Sequence, residues 1–329
     1  METTTAKPYV IREVPGKGKG LIATTKIRKG TRILSEAPLF KLASTQMPQN
    51  LLEALILAEL HNLTKDQKRA YVALHNSYGQ ETGVKPIVGI AKTNVLIFNP
   101  HKPEGGLFLD MSRVNHACRP NAHYSWNERT GRLTVHALRD VEDRQEITVS
   151  YITQGKPRQA RQEFLRDCFF FDCACELCSL PPVERDMSDL RLLEVAVIED
   201  QLGRGSGSFH YGRALALLWE MFRVLEVEGV WDQSIPKAYF VAFQIACMYG
   251  DETRARVFAE RALEARVSME GEDSPEVVRL RGYVEHPSLL ASWQLRAKCP
   301  DGLVPPPLME GEVDDWLWGD MTPEAAVGG

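Results

Sequence analysis

The chain has 329 residues, a net charge of −5, and 44% apolar and 25% charged residues, which is enough for one large or two modest globular domains. This composition excludes a disordered chain, a collagen-like repeat and a disulfide-stabilised miniprotein. The longest apolar stretch, residues 239–249, is too short to span a bilayer, and residues 1–7 have no apolar signal core, so we expect an intracellular protein with reduced thiols.

The first half of the chain alternates strand and helix patterns. Alternating or short apolar runs predict strands at Val10–Val14, Leu21–Ala23, Thr31–Leu34, Val95–Phe98, Leu107–Met111, His123–Trp126, Leu133–Ala137 and Glu146–Ile152. A glycine-rich loop is expected at 15–20, and the segment Glu128–Gly131 predicts a hairpin turn. Apolar residues at helical spacing predict two helices inserted at about residues 46–80.

The second half is predicted to be helical. Apolar stripes predict helices at Leu190–Leu202, Tyr211–Glu228, Ile235–Tyr249 and Thr253–Met269, with Gly250 and Asp251 separating the last two. Charge is uneven, because residues 1–180 hold 25 bases and 18 acids whereas residues 301–329 hold seven acids and no base. We therefore expect parts with different roles, ending in an acidic flexible tail that Trp316 and Trp318 could dock.

Three cysteines within six residues are the strongest chemical signal in the sequence. Free cysteines usually lie buried singly, and a disulfide would be unusual in a reducing compartment, so thiolate ligands for a metal ion fit best. Tetrahedral zinc is the usual ion for such ligands. The three are Cys173, Cys175 and Cys178; the best fourth ligand is Cys118, with Cys168, five residues upstream of the first, as runner-up.

Two further segments precede these cysteines. They read Asn115-His116-Ala117-Cys118-Arg119-Pro120-Asn121 and, about thirty residues later, Glu146-Ile147-Thr148-Val149-Ser150-Tyr151. With Gly18-Lys19-Gly20 near the start and the cysteine-rich segment, they resemble the SET-domain family of protein lysine methyltransferases over about residues 8–180. Helices between the strands and a helical second half resemble the SMYD-type branch, but residues 41–93 contain no cysteine, so its inserted zinc finger is missing.

The resemblance implies an α+β fold. A SET domain of short, mainly antiparallel β-sheets would span residues 8–153, with the helical insert at about 46–80. A cysteine-rich post-SET zinc segment would follow at 154–182. An all-α, tetratricopeptide-like C-terminal domain would occupy 183–300, and the acidic tail 301–329.

The resemblance also implies two bound groups and the residues that hold them. The methyl donor would be S-adenosylmethionine, and Zn²⁺ would be held by Cys118, Cys173, Cys175 and Cys178. Tyr151 would be the catalytic residue, with its hydroxyl orienting the lysine amine in an apolar channel that penalises the charged amine, whose unperturbed pKa is about 10.4. The expected cofactor-binding residues are Lys17, Lys19, Asn94, Asn115, His116, Tyr151 and Phe171.

We therefore expect an S-adenosylmethionine-dependent protein-lysine N-methyltransferase that acts on a histone or another protein. The alternative is a catalytically inactive SET-like adaptor that recruits a partner through its helical C-terminal domain. Because the basic residues are not interleaved with stacking aromatics, we expect no direct nucleic-acid binding. We also expect nuclear and/or cytoplasmic localisation, no membrane binding and a monomer.

Overall fold

The computed structural model describes residues 7–79, 83–99, 104–152, 155–205, 211–230, 232–295 and 313–318. The chain forms two compact units, which are Met1–Ile152 with Gln162–Cys175, and Thr153–Arg161 with Glu176–Gly329. The first unit combines strands and helices and the second is helical, which confirms the predicted α+β class.

The strands of the first unit follow one another in short segments. They are β1 (Tyr9–Val14), β2 (Gly18–Ala23), β3 (Arg32–Glu36), β4 (Phe40–Leu42), β5 (Val95–Asn99), β6 (Glu104–Leu107), β7 (Asn115–His116), β8 (Ala122–Asn127), β9 (Arg132–Ala137) and β10 (Glu146–Val149). They form three sheets with the orders β1-β2-β10-β7, β3-β9-β8 and β4-β6-β5. Each pairing is antiparallel except that of β7 with β10, which is parallel.

The helices are α1 (Gln49–His61), α2 (Lys65–Val72), α3 (Pro86–Asn94), α4 (Arg158–Phe169), α5 (Pro182–Gly205), α6 (Tyr211–Val227), α7 (Ser234–Met248), α8 (Glu252–Glu270), α9 (Pro275–Glu285) and α10 (Val313–Trp318). The two helices expected at about 46–80 are α1 and α2, and a capping box at Thr64 and Gln67 starts the second. Helices α3 and α4 were not predicted. The sequence of α4, RQARQEFLRDCF, is polar on average, which obscures its few apolar residues.

Two predicted segments differ from the structure in where they end. The glycine loop is shorter than expected, since β2 already begins at Gly18, opposite Val14. The strand predicted at Leu107–Met111 ends at Leu107. Beyond it, the Glu36 carboxylate accepts the main-chain N–H groups of residues 109, 110 and 111 at 2.6 to 3.0 Å. A short 3₁₀ turn follows at Met111–Arg113.

The helical unit is built from consecutive helices that pack on one another: α5 on α6, α6 on α7, α7 on α8, and α8 on α9. Its core includes Phe243 and Phe258, which are fully buried. Gly250 ends the third predicted helix with a φ of +68°, and Asp251 caps the next by accepting the N–H of Arg254. None of the helices in the described ranges is long and apolar enough to cross a membrane.

Part of the segment expected to be a flexible tail is helical. In α10, Trp318 is buried against Trp219, Phe222 and Phe258 of the helical unit. The Arg254 guanidinium donates to the main-chain carbonyl of Trp316 at 3.0 and 3.1 Å. The rest of residues 301–329 lies outside the described residues.

Candidate functional site

The predicted cofactor residues Asn115 and His116 form β7. Their strand pairs in parallel with β10, where Thr148 lies opposite Asn115 and Val149 opposite His116. The position of both motif residues is therefore fixed by the strand that leads to Tyr151. The two sequence motifs that carry the family resemblance come together in one sheet.

The second asparagine of the first motif, Asn121, holds β10 in place. It is 2% exposed. Its Oδ1 accepts the N–H of Thr148 and its Nδ2 donates to the carbonyl of Glu146, each at 2.8 Å. The position needs an acceptor and a donor on one short side chain, which asparagine supplies and aspartate does not.

Glu146 joins the N-terminal glycine segment to β7, a role that sequence reasoning missed. One carboxylate oxygen binds Lys17 Nζ at 2.7 Å, and the other accepts Asn115 Nδ2 at 2.8 Å. Asn115 Nδ2 also lies 3.3 Å from the carbonyl oxygen of Lys19, whose side chain is exposed. Three of the predicted cofactor residues are thus neighbours: Lys17 and Asn115 contact one carboxylate, and the Lys19 carbonyl contacts Asn115.

Gly20 makes this close approach possible. A Cβ at this position would lie 2.9 Å from both Asn115 Nδ2 and Glu146 Oε1, and 2.7 Å from Val14 Cγ2. These distances are shorter than non-bonded carbon contacts allow, so a side chain here would push the two polar groups apart.

Gly20→Ala should therefore destabilise the first unit by about 1–3 kcal/mol, the range for overpacking a tight site. Urea unfolding followed by fluorescence measures this change. Gly79→Ala is the matched control, because its added methyl group would meet no atom within 4 Å. Equal stability of the two variants would contradict the packing argument.

His116 connects the Tyr151 main chain to a cysteine. Its Nδ1 lies 3.0 Å from the N–H of Tyr151 and accepts that hydrogen. In the neutral ring the proton is then on Nε2, which lies 3.3 Å from Cys118 Sγ and is the donor to sulfur. This side-chain acceptor takes the Tyr151 N–H, and β10 ends at Val149 rather than at the predicted Ile152.

The Tyr151 ring is enclosed by main chain and aromatic rings. Its hydroxyl donates to the carbonyl of Val114 at 2.6 Å. Burial, the largest cause, raises the pKa of the hydroxyl, so it stays protonated at neutral pH. The ring centroid lies 4.9 Å from that of Phe169 and 5.3 Å from that of His116.

The three consecutive phenylalanines of 169–171 have three different surroundings. Phe171, the predicted adenine-stacking residue, lies 6.2 Å from the His116 ring. Phe169 contacts Tyr151 instead. Phe170 is half exposed, has a φ of +61° and meets the Tyr78 ring edge-on at 5.1 Å. The sequence signal, three aromatics in a row, did not separate these roles.

Asn94 is tied to its own surroundings. It is 5% exposed at the end of α3, and its Nδ2 donates to the carbonyls of His75 and Ile90, each at 2.7 Å. Among the described residues, no hydrogen bond joins Asn94 to Asn115, His116 or Tyr151. Its predicted contact with the cofactor stays a prediction.

The four cysteines named from the sequence form a cluster. The Sγ atoms of these four residues all lie within 4.8 Å of one another; the residues are Cys118, Cys173, Cys175 and Cys178. The Cys118 and Cys173 sulfurs are 3.9 Å apart. Tetrahedral zinc with Zn–S bonds of about 2.3 Å needs sulfurs about 3.8 Å apart, so this cluster fits a zinc ion.

The other cysteines differ from this group. Cys168, the runner-up for the fourth ligand, is exposed. Cys247 is buried in the helical unit, where burial raises the pKa of its thiol to about 12. Cys299 lies outside the described residues.

Polar side chains of α4 hold the main chain around the clustered cysteines. Gln162 donates to the Cys173 carbonyl at 2.7 Å and accepts the Cys173 N–H at 2.9 Å. Arg158 donates to the Cys178 carbonyl at 2.9 Å. The guanidinium of Arg161, which is 3% exposed, lies 4.0 Å from Cys178 Sγ. Sequence reasoning missed these residues, although the Arg-x-x-Arg-Gln spacing places them one helical turn apart.

Comparisons with known proteins identify the family of the chain. The SET domain family matches residues 18–152. Histone-lysine N-methyltransferase set5 of Schizosaccharomyces pombe is 34% identical over 280 residues, covering 85% of this chain and 84% of that protein. Protein-lysine N-trimethyltransferase SMYD5 of Danio rerio is 36% identical over 86 residues, covering 25% of this chain and 21% of its own. N-lysine methyltransferase SMYD2 of Homo sapiens is 28% identical over 148 residues, covering 42% of this chain and 34% of that protein.

Solved structures resemble the chain more weakly. The SET domain of LSMT bound to lysine and AdoHcy covers 96% of this chain and 95% of its own, at 12% identity and a TM-score of 0.35.

The relatives named above all carry the name of a lysine methyltransferase, so they lend no support to the alternative of an inactive adaptor. The long match to set5 covers the helical second half as well as the SET domain. The fold class and the resemblance predicted from the sequence are confirmed. This chain is a protein-lysine N-methyltransferase of the SET-domain family, related to the Set5 and SMYD types.

Proposed function

We propose that the chain transfers a methyl group from S-adenosylmethionine to the side-chain amine of a lysine in a protein substrate, and that Tyr151 is the catalytic residue. The observation that carries the proposal is the position of Tyr151. Its main-chain N–H donates a hydrogen bond to His116 of β7, and its hydroxyl donates one to the carbonyl of Val114. When bound, S-adenosylmethionine supplies an electrophilic methyl group, and the amine nitrogen bonds to its carbon while the sulfur keeps the pair of the broken S–C bond.

The chain's own groups would orient the amine and keep it neutral. Because the Tyr151 proton points to the Val114 carbonyl, the lone pairs of the hydroxyl oxygen remain to accept an N–H of the lysine amine. The surrounding rings of Phe169 and His116 exclude water and penalise the ammonium form. Orientation and exclusion of water are what an in-line transfer between two bound groups requires.

We propose that seven residues bind the cofactor, which are Lys17, Lys19, Asn94, Asn115, His116, Tyr151 and Phe171. Asn115 donates two hydrogen bonds through Nδ2, to Glu146 and to the Lys19 carbonyl. Its Oδ1 would then accept from the α-ammonium of the cofactor. Lys17 and Lys19 would lie near the cofactor carboxylate.

Asn115→Ala should weaken S-adenosylmethionine binding roughly tenfold or more, since a hydrogen bond to a charged group contributes about 1.5–3 kcal/mol. Isothermal titration calorimetry measures the dissociation constant. Asn62→Ala is the matched control: this exposed asparagine donates its Nδ2 to the carbonyl of Ala58 at the end of α1. Unchanged affinity in Asn115→Ala would remove this residue from the cofactor site.

We propose that the four clustered cysteines bind one Zn²⁺ ion. Their sulfur spacing and the soft, anionic character of thiolates support zinc over oxygen-preferring ions. The ion would order the Cys118 loop that follows β7 and the segment that carries Phe171, and so would support the cofactor site without touching the reacting atoms.

The substrate is proposed to be a histone or another protein in the nucleus and/or cytoplasm. The set5 relative is named for histone lysine, SMYD5 is named for protein lysine, and SMYD2 is named for lysine alone. Transfer of a labelled methyl group from S-adenosylmethionine to purified histones and to a peptide array tests this directly. No transfer to any lysine, with cofactor bound, would overturn the proposed function.

A further inference from the structure

Helix α5 is apolar on two opposite faces. One face is buried and includes Leu192, Val195 and Ile198, the last two of which belong to the core of the helical unit. The other face carries five large apolar side chains that are 45–76% exposed, which are Val183, Met187, Leu190, Leu193 and Val197. We call these five residues the α5 stripe.

The α5 stripe has the spacing of a helix-pairing seam. Residues 183, 187, 190 and 197 follow one another at steps of four, three and seven, so they line up along one side of the helix. At about 1.5 Å per residue the stripe is about 21 Å long. Single exposed apolar residues are normal on a protein surface, but a continuous row of five marks an interaction site.

Acidic residues lie within the same face. At 100° per residue, Asp186 and Glu194 fall within about 40° of Leu190, and both are exposed. Arg185 lies on another side of the helix, and its Nη2 is 2.8 Å from Oδ1 of Asp186. Within residues 182–203 of the helix, two ionisable side chains lie among the stripe residues, and both are carboxylates: Asp186 and Glu194.

This charge pattern selects the kind of partner. In an antiparallel pair of two copies centred on Leu190, Asp186 of one copy would face Glu194 of the other, and like charges at such positions destabilise the pair. The acidic tail of this chain is disfavoured for the same reason, because residues 301–329 contain no base. A helix with Lys or Arg beside its apolar residues would match both features.

We propose that the α5 stripe is the docking surface for an amphipathic helix of a partner protein, with an apolar row that packs on Val183–Val197 and basic residues that pair with Asp186 and Glu194. The mode is a helix laid along an exposed apolar helix face, with charge setting the choice of partner. The proposal does not depend on methyl transfer, since none of the residues involved belongs to the candidate site.

The test uses the full chain and two synthetic 18-residue helical peptides. Both carry leucine at steps of three and four; in one the flanking positions are lysine, and in the other they are glutamate. Fluorescence anisotropy should show the lysine peptide binding at least tenfold tighter than the glutamate peptide, with an affinity that falls as salt rises. A lysine peptide with alanine in place of leucine should lose this binding.

Variants assign the binding to the stripe. Leu190→Glu should abolish binding of the lysine peptide and leave the circular dichroism spectrum and methyl transfer unchanged, because the side chain is 61% exposed. Val278→Glu is the matched control, since Val278 is 56% exposed on α9 of the same unit. The double variant Asp186→Lys with Glu194→Lys should reverse the preference and bind the glutamate peptide tighter.

Three results would overturn the proposal. The wild-type chain binds both peptides equally; Leu190→Glu binds the lysine peptide as well as Val278→Glu does; or light scattering shows a dimer that Leu190→Glu dissociates. The last result would make a second copy of the chain the occupant of the stripe instead of a basic partner helix.

Discussion

Tyr151→Phe should lower the rate of methyl transfer about a hundredfold while leaving S-adenosylmethionine binding nearly unchanged. The loss of one oriented hydrogen bond in a site that excludes water costs roughly 3 kcal/mol in the transition state. In the proposed mechanism the hydroxyl acts where the amine and the methyl group meet, so its loss should affect the transition state more than the bound cofactor. Phenylalanine keeps the ring that contacts Phe169 and His116, so the fold should survive.

Single-turnover transfer with a saturating protein substrate, together with calorimetry of cofactor binding, measures both quantities. Tyr71→Phe is the matched control, because Tyr71 also donates its hydroxyl to a main-chain carbonyl, that of Ile87, but within the α1–α3 core. It should cost about 1 kcal/mol of stability and leave transfer unchanged. Transfer by Tyr151→Phe at the wild-type rate would remove Tyr151 from the reacting centre.

Cys175→Ser should remove the zinc ion, lower the unfolding temperature and weaken cofactor binding. Removal of one of four ligands costs at least tenfold in metal affinity, and binding energy at a structural zinc site is folding energy. The effect should reach the cofactor through two connections. His116 lies between Tyr151 and Cys118, and Phe171 is two residues from Cys173.

Cys168→Ser is the control for this experiment, since Cys168 is exposed and lies near the cluster in sequence. Elemental analysis should give one zinc per chain from the cluster in wild type and in Cys168→Ser, and none from it in Cys175→Ser. Metal-free wild-type protein that keeps its unfolding temperature and full transfer activity would refute the structural role of the ion.

The alternating and helical patterns of the sequence determined most of the elements. Strands such as β8 and β9 with their turn at Gly131, and helices α6 to α8, follow from local periodicity and turn residues alone. Helix α4 was missed because its sequence is polar on average. It presents Arg158, Arg161 and Gln162 to the cysteine segments, which no apolar periodicity records.

The sequence by itself determined the family, and it singled out the three clustered cysteines and the motif residues Asn115, His116 and Tyr151, because these are statements about residue type and order. Only the tertiary structure decided between Cys118 and Cys168, since that choice depends on which sulfur the fold brings within 4.8 Å of the others. It also decided that Glu146 joins Lys17 to Asn115 across Gly20. These contacts join residues 31 to 129 positions apart in the chain, and local propensity carries no information about them. The contacts of Glu146 follow from the pairing of β2 and β7 with β10.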